Sequence, residues 1–553
     1  MTYRIAGLLP ALALATACGN EPAASTAVTL RPCAVALATS LTLVVAGDTT
    51  IDPASDSGCV TFPKNVSASD SAEYLVIAQA AGGPPGDSTA FQLRSAALAS
   101  GSAPARLPAA AALRRHAPIP VAFDHFLREL ARTHGASLRA PPGPPRPATS
   151  GRPAGTITPP GLGTLHTFTV CANQDCSVFK PVTARVRALG AHVALYVDTL
   201  APANGLDSAA LVTLTRTFDI HGYVVDTVAF GGVSDIDSNG VVIALMTPVV
   251  NSLVTAAACK AGGYVAGFFF PLDLDPQTAS QYNHGEIFYT IVADPSGTLS
   301  CAHTVADVEF TLPATFVHEL QHIISFNQHV LIRGSAVEDI WLDEALSSFA
   351  EELAGRSYFP DTATFSQYAV PLLYNASLYF AAPDDYFLLQ TGDTVLAEFG
   401  AGWLYMRYLV DQFGSGLSNK LEQTVLTGTD NVAAQTGLPF ATTVTRWALA
   451  LWVSDLPGFT PPPALTYTSW SFRRTFASLH AQDPTDFPSA FPLAPVADSG
   501  TGINVAGFLR GGSGSYVQAL QGPGAASFTL LFSGNGGLPA STAVPRLSVI
   551  RIH

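Results

Sequence analysis

His318-Glu319-Leu320-Gln321-His322 puts two imidazoles and a carboxylate within five residues. On a helix, side chains four positions apart are rotated by only about 40°, so both rings can face one metal ion. Glu319 then lies about 100° round from His318, beside the same point, where a general base belongs. Zinc suits this imidazole pair. With 13 His and 12 Glu in 553 residues, chance predicts about 0.007 occurrences of the pattern, so coincidence is a poor explanation. The surrounding PATFVHELQHIISF has helical spacing and is expected to begin near Pro313, a residue suited to a first turn.

A catalytic zinc takes three protein ligands and keeps one position open. Glu344, in the next helical stretch WLDEALSSFAEE, is positioned in sequence to supply the third from a helix returning antiparallel. Glu351, two turns later on the same face, can accept the remaining N–H of a ligating imidazole and fix its tautomer. Five of the 12 Glu fall between 319 and 352, a concentration that a solvated helix face does not explain in a chain only 12% charged.

An HExxH followed by WLDEALSSFAEE resembles the gluzincin zinc peptidases, whose second helix reads W-L-N-E-G with another Glu seven positions after the ligand. The hyicolysin group is the most similar. The run FGGVSDIDSNGVVIALMTPVVN, then HGEIFYTIVADP, then the HExxH helix, is similar to that group's strand order, and the resemblance covers about residues 190 to 420. It implies a zincin-like fold in which zinc is held by His318, His322 and Glu344, with Glu319 as base and Glu351 behind the ligands. It also implies that Gly285–Thr290 is an edge strand pairing with extended substrate. Asp343 and Ala345 depart from the usual Asn and Gly, and the aminopeptidase signature G-A-M-E-N is absent, which favours an endopeptidase. An aminopeptidase or amidase with the same metal site, and a surface binding protein with a degenerate peptidase domain, are the alternatives.

Asp235-x-Asp237-x-Asn239-Gly240 resembles the start of a calcium loop, but the twelfth position is Met246 rather than a bidentate Glu, so a plain connecting turn and a calcium site both stand. The donor for a developing oxyanion is sought among His284, His303, His329, Tyr289, Tyr374, Tyr379, Tyr405 and Tyr408.

These residues need a scaffold. The expected fold is multidomain: an α+β, zincin-like catalytic domain over 161–465, with a mixed sheet and active-site helices, flanked by small all-β domains. Residues 28–100 read as an N-terminal β domain, and 466–553 as a C-terminal segment with a β-sandwich-like module at about 500–553. Between them, 101–160 is basic and Pro-rich, with eight Pro among residues 141 to 160; it reads as a linker holding the rest off a membrane, or as a propeptide.

Net charge −14 with four Lys argues against nucleic acid. No stretch of about 20 apolar residues follows the N-terminus, so no transmembrane helix is expected. Arg4 and the apolar run Ile5–Ala17 read as a signal peptide (1–18), followed by a tether (19–27). Leu14–Cys18 resembles a lipobox, which would anchor Cys18; ordinary cleavage with secretion is the alternative. The other six cysteines are expected as disulfides 33–59, 171–176 and 259–301, as in an exported chain. The expected partner is a protein or peptide substrate.

Overall fold

The computed structural model describes residues 30–31, 33–98, 105–106, 119–135, 158–391, 395–534 and 537–553. The signal peptide, tether and Cys18 lie outside these residues. Helices and strands mix throughout, an α+β architecture in more than one layer.

The part that carries the HExxH residues is built on a six-stranded mixed sheet. Its strands are β1 (Leu165–Cys171), β2 (Phe179–Leu189), β3 (Val193–Asp198), β4 (Val242–Met246), β5 (Gly267–Phe269) and β6 (Ile287–Thr290). The order across the sheet is β5-β6-β4-β3-β2-β1. Strands β3, β4 and β6 run parallel, with Val242 opposite Val193 and Ile243 opposite Ile287. Parallel neighbours need crossovers, and helix Ser208–Thr217 provides one, capped by the Asp207 carboxylate on the Ala210 amide. β4 and β6 are buried on both faces and read as continuous apolar runs, whereas β2 alternates and faces solvent on one side.

The strand expected at the edge is an interior one. β6 lies between β4 and β5, because β5 folds back antiparallel and covers its free backbone groups, pairing Gly267 with Thr290. The true edge is β5, a three-residue strand too short to register in the sequence pattern. Gly267 is required there: a Cβ would meet the Tyr289 carbonyl at 2.8 Å and Thr315 Cγ2 at 2.7 Å. Its absence lets the edge strand approach the helix that carries the HExxH residues.

Five helices matter to the site: α1 (Ile119–Gly135), α2 (Val305–Phe326), α3 (Ile340–Arg356), α4 (Thr362–Ala381) and α5 (Leu396–Phe413). Helix α1 falls in the stretch read as linker, yet it is packed: Phe123, Leu127 and Ala131, four residues apart, are buried in one stripe. Phe123 meets Phe268 of β5 edge to face, with ring centroids 5.1 Å apart.

The two chain ends form one β-sandwich rather than two separate modules. One sheet runs Thr39–Ser40, Cys59–Phe62, Phe528–Ser533, Ser88–Ser95, Asn504–Arg510, Ala105–Arg106. The other runs Val496–Ser499, Ser513–Gln521, Ala72–Ala80, Pro545–Arg551, Asp48–Ile51. Phe62, Val76, Phe91, Leu530 and Leu547 fill the space between them. Strands from the two segments alternate within each sheet, so neither segment builds a sheet by itself. The second sheet also turns Leu75, Ile77 and Tyr516 onto the helical part, where the Tyr516 hydroxyl donates to the Ala448 carbonyl (2.9 Å).

Disulfides join Cys33–Cys59, Cys171–Cys176 and Cys259–Cys301, as expected, and fit an oxidising, exported environment. Among the described residues no helix is long and apolar enough to cross a membrane.

Candidate metal centre and active site

Helix α2 starts eight residues before Pro313. Thr304 and Asp307 form a reciprocal capping box, and buried Val308 and Leu312 anchor the added turns. Pro313 is therefore interior, and the carbonyl it leaves unpaired belongs to Glu309, an exposed residue. The chain leaves α2 through a wide turn, Asn327–Ile332, and returns in α3. His318 contacts Glu351 while His322, a turn later, contacts Ser347, a turn earlier, so the two helices run antiparallel.

This pairing brings His318, His322 and Glu344 together, with ligand atoms within 4.8 Å of one another. Glu344 Oε2 lies 3.5 Å from His318 Nε2, and Oε1 lies 3.7 Å from His322 Nε2. Both Glu344 oxygens are buried and make no hydrogen bond. Orphaned carboxylate oxygens aimed at two imidazole nitrogens fit a cation better than any arrangement of protein groups alone. Two imidazoles and one carboxylate are a zinc donor set.

Each ring is oriented from behind. His318 Nδ1 lies 2.8 Å from Glu351 Oε1, as expected, which leaves Nε2 facing Glu344. His322 Nδ1 lies 3.0 Å from Asp343 Oδ2. Asp343 was noted in the sequence only as a departure from Asn, although a carboxylate preceding the third ligand was the signal for this role. Burial, reinforced by the Arg128 guanidinium, pushes His322 down to about 4, so it is neutral and able to ligate at neutral pH. Burial opposes charge on His318 too, but Glu344 and Glu351 outweigh it and hold that ring above its usual range. Replacing Asp343 by Ala is expected to weaken zinc affinity by about 10–100-fold, with Asn, which keeps an acceptor, costing less; chelator titration of the two variants measures this.

Glu319 is buried beside this triad, and burial raises its carboxyl to about 7. Its Oε2 accepts the Phe269 amide of edge strand β5 (2.8 Å). Glu319 and the strand end are thus in direct contact over a cleft of about 330 Å³ lined by Gly267, Thr315, His318, Glu319 and Glu351. None of the eight His and Tyr residues considered as oxyanion donors lines it. Tyr405 bonds Thr443, Tyr408 bonds the Ala464 carbonyl, and His329 lies between Glu338 and Glu422. Tyr264, which sequence reasoning passed over, does line the cleft.

Two of the clustered glutamates are structural. Glu352 accepts from Arg356, Trp403 and Trp470, and Glu338 accepts from Gly428 and Asn431. A second cavity, of about 500 Å³, lies by Arg185, Arg187, Asp198 and Asp207 and contains no such donor set.

No family model matches the chain, and no curated protein matches it either.

Proposed function

We propose that the chain is an exported zinc-dependent endopeptidase of gluzincin type. The observation that carries this reading is the convergence of His318, His322 and Glu344, with Glu319 beside them at the edge strand. Bound there, zinc would supply a Lewis acid and activate water for attack on a peptide carbonyl. Glu319 takes the proton from the attacking water and returns it to the leaving amine. Glu351 and Asp343 hold the imidazoles in the tautomer that presents Nε2. β5, the edge of the sheet, is the element against which an extended substrate would pair.

A degenerate, binding-only domain would be expected to lack a ligand or the base, and all four residues are present. Metal analysis of the purified chain should find one zinc, and casein hydrolysis should be lost with phenanthroline and regained with zinc. A chain without zinc would sink the reading. Cleavage of free-N-terminal dipeptide amides, with none of blocked peptides, would replace the endopeptidase by an aminopeptidase.

A second cation reading rests on Asp235, Asp237 and Glu286, whose carboxylates come within 4.8 Å. Asp237 and Asp235 accept the Asn239 and Gly240 amides of the connecting turn. Glu286, at the start of β6, is 1% exposed, and its Oε2 has no hydrogen-bond partner. Glu286 adds the carboxylate that position 246 does not supply, and hard oxygen donors suit calcium. Millimolar calcium should raise the melting temperature of the wild type but not of Glu286→Gln; equal shifts in both would exclude this site.

A further inference from the structure

Helix α1 does more than pack beside the cleft. Asp124 lines the same cleft as His318 and Glu319, and its Oδ2 is buried there. No hydrogen bond reaches Asp124 Oδ2 or either Glu344 oxygen. Buried carboxylate oxygens without a donor are costly unless a cation joins them. Asp124 also lies within the electrostatic reach of both His318 and His322.

The rest of α1 covers the substrate side. Arg128 is 4% exposed, and its Nη2 donates to the Phe269 carbonyl (3.3 Å) while the Phe269 amide is held by Glu319. Both backbone groups that Phe269 turns away from β6 are therefore occupied, and these are the groups an incoming strand would use. The same guanidinium lies 3.6 Å from Asp124 and 3.9 Å from Asp343, tying the helix to the group behind His322. Phe123 closes the contact against Phe268.

We propose that α1 is a built-in plug: Asp124 takes the fourth position of the zinc held by His318, His322 and Glu344, and the helix body blocks edge strand β5, so the chain folds in a latent form. The inference rests on the zinc reading above. Catalytic zinc sites keep one position open, whereas a site with four protein ligands is closed. Chemistry at this site therefore requires α1 to move away, and residues 119–135 act as an intramolecular inhibitor rather than as a spacer.

The full chain can be compared with Asp124→Ala and the near-isosteric Asp124→Asn, with folding checked by circular dichroism. Three readouts apply: zinc content, the visible spectrum of the cobalt-substituted protein, and affinity for a peptide hydroxamate. Both variants should keep stoichiometric zinc and show an altered cobalt spectrum. They should bind hydroxamate about tenfold tighter or better. Casein hydrolysis should rise in parallel, and Arg128→Ala should move it in the same direction. Variants whose cobalt spectrum and hydroxamate affinity match the wild type would overturn the plug while leaving the zinc peptidase standing. Tighter hydroxamate binding without any hydrolysis would keep the plug and refute the peptidase. A wild type and variants all devoid of zinc would refute both.

Discussion

Glu344→Ala is expected to empty the metal centre. The wild-type residue is the only one of the three ligands that comes from α3, and both its oxygens point at the histidines of α2 without other partners. Removing it leaves two imidazoles, and the loss of zinc affinity should exceed the roughly 10–100-fold expected from losing a carboxylate behind a ligand. Metal analysis after dialysis should find no zinc, and a chelator should lower the melting temperature of the wild type but not of the variant, since only a bound ion stabilises by mass action. In the absence of metal the variant should be no less stable than the wild type, because burial pushes the Glu344 carboxyl well above its usual range and its loss removes that strain. Stoichiometric zinc in this variant would remove Glu344 from the ligand set.

Glu319→Gln should give the opposite pattern, with full zinc and little turnover. Gln keeps the size of the side chain and an oxygen that can accept the Phe269 amide, so the helix and the edge strand should stay in place. It cannot take a proton from water. Loss of a general base costs typically about 10²–10⁴-fold in kcat, and KM should change little. The measurement belongs in both the wild-type and Asp124→Ala backgrounds, so that plugging and loss of the base are read separately. Unchanged turnover in the Asp124→Ala background would end the assignment of Glu319 as base.

The candidate donor set was legible because its geometry is local. His318 and His322 share a helical face by spacing alone, and Glu344 and Glu351 share another, so only the docking of two consecutive helices was needed to join them. The three disulfides were legible for the same reason, each closing a loop within one segment. The start of α2 was misplaced at Pro313 because proline's local preference is clear, while the capping box that overrides it begins nine residues upstream, at Thr304. Asp343 was read as a departure from a pattern because its partner, His322, is reached only across the helix pair.

What the sequence determined by itself is the pair of helices and the side chains they carry at periodic positions: His318, His322, Glu319, Glu344 and Glu351. Tertiary structure alone decided everything that depends on long-range pairing. It made β5 rather than β6 the edge, because strand order is set by backbone hydrogen bonds between segments with no shared periodicity. It drew residues 39–106 and 496–551 into one sandwich, because the apolar faces of the two segments fill one shared core. It also laid α1 beside the candidate site, placing Asp124 in the cleft with His318 and Glu319, and Arg128 on the Phe269 carbonyl of β5.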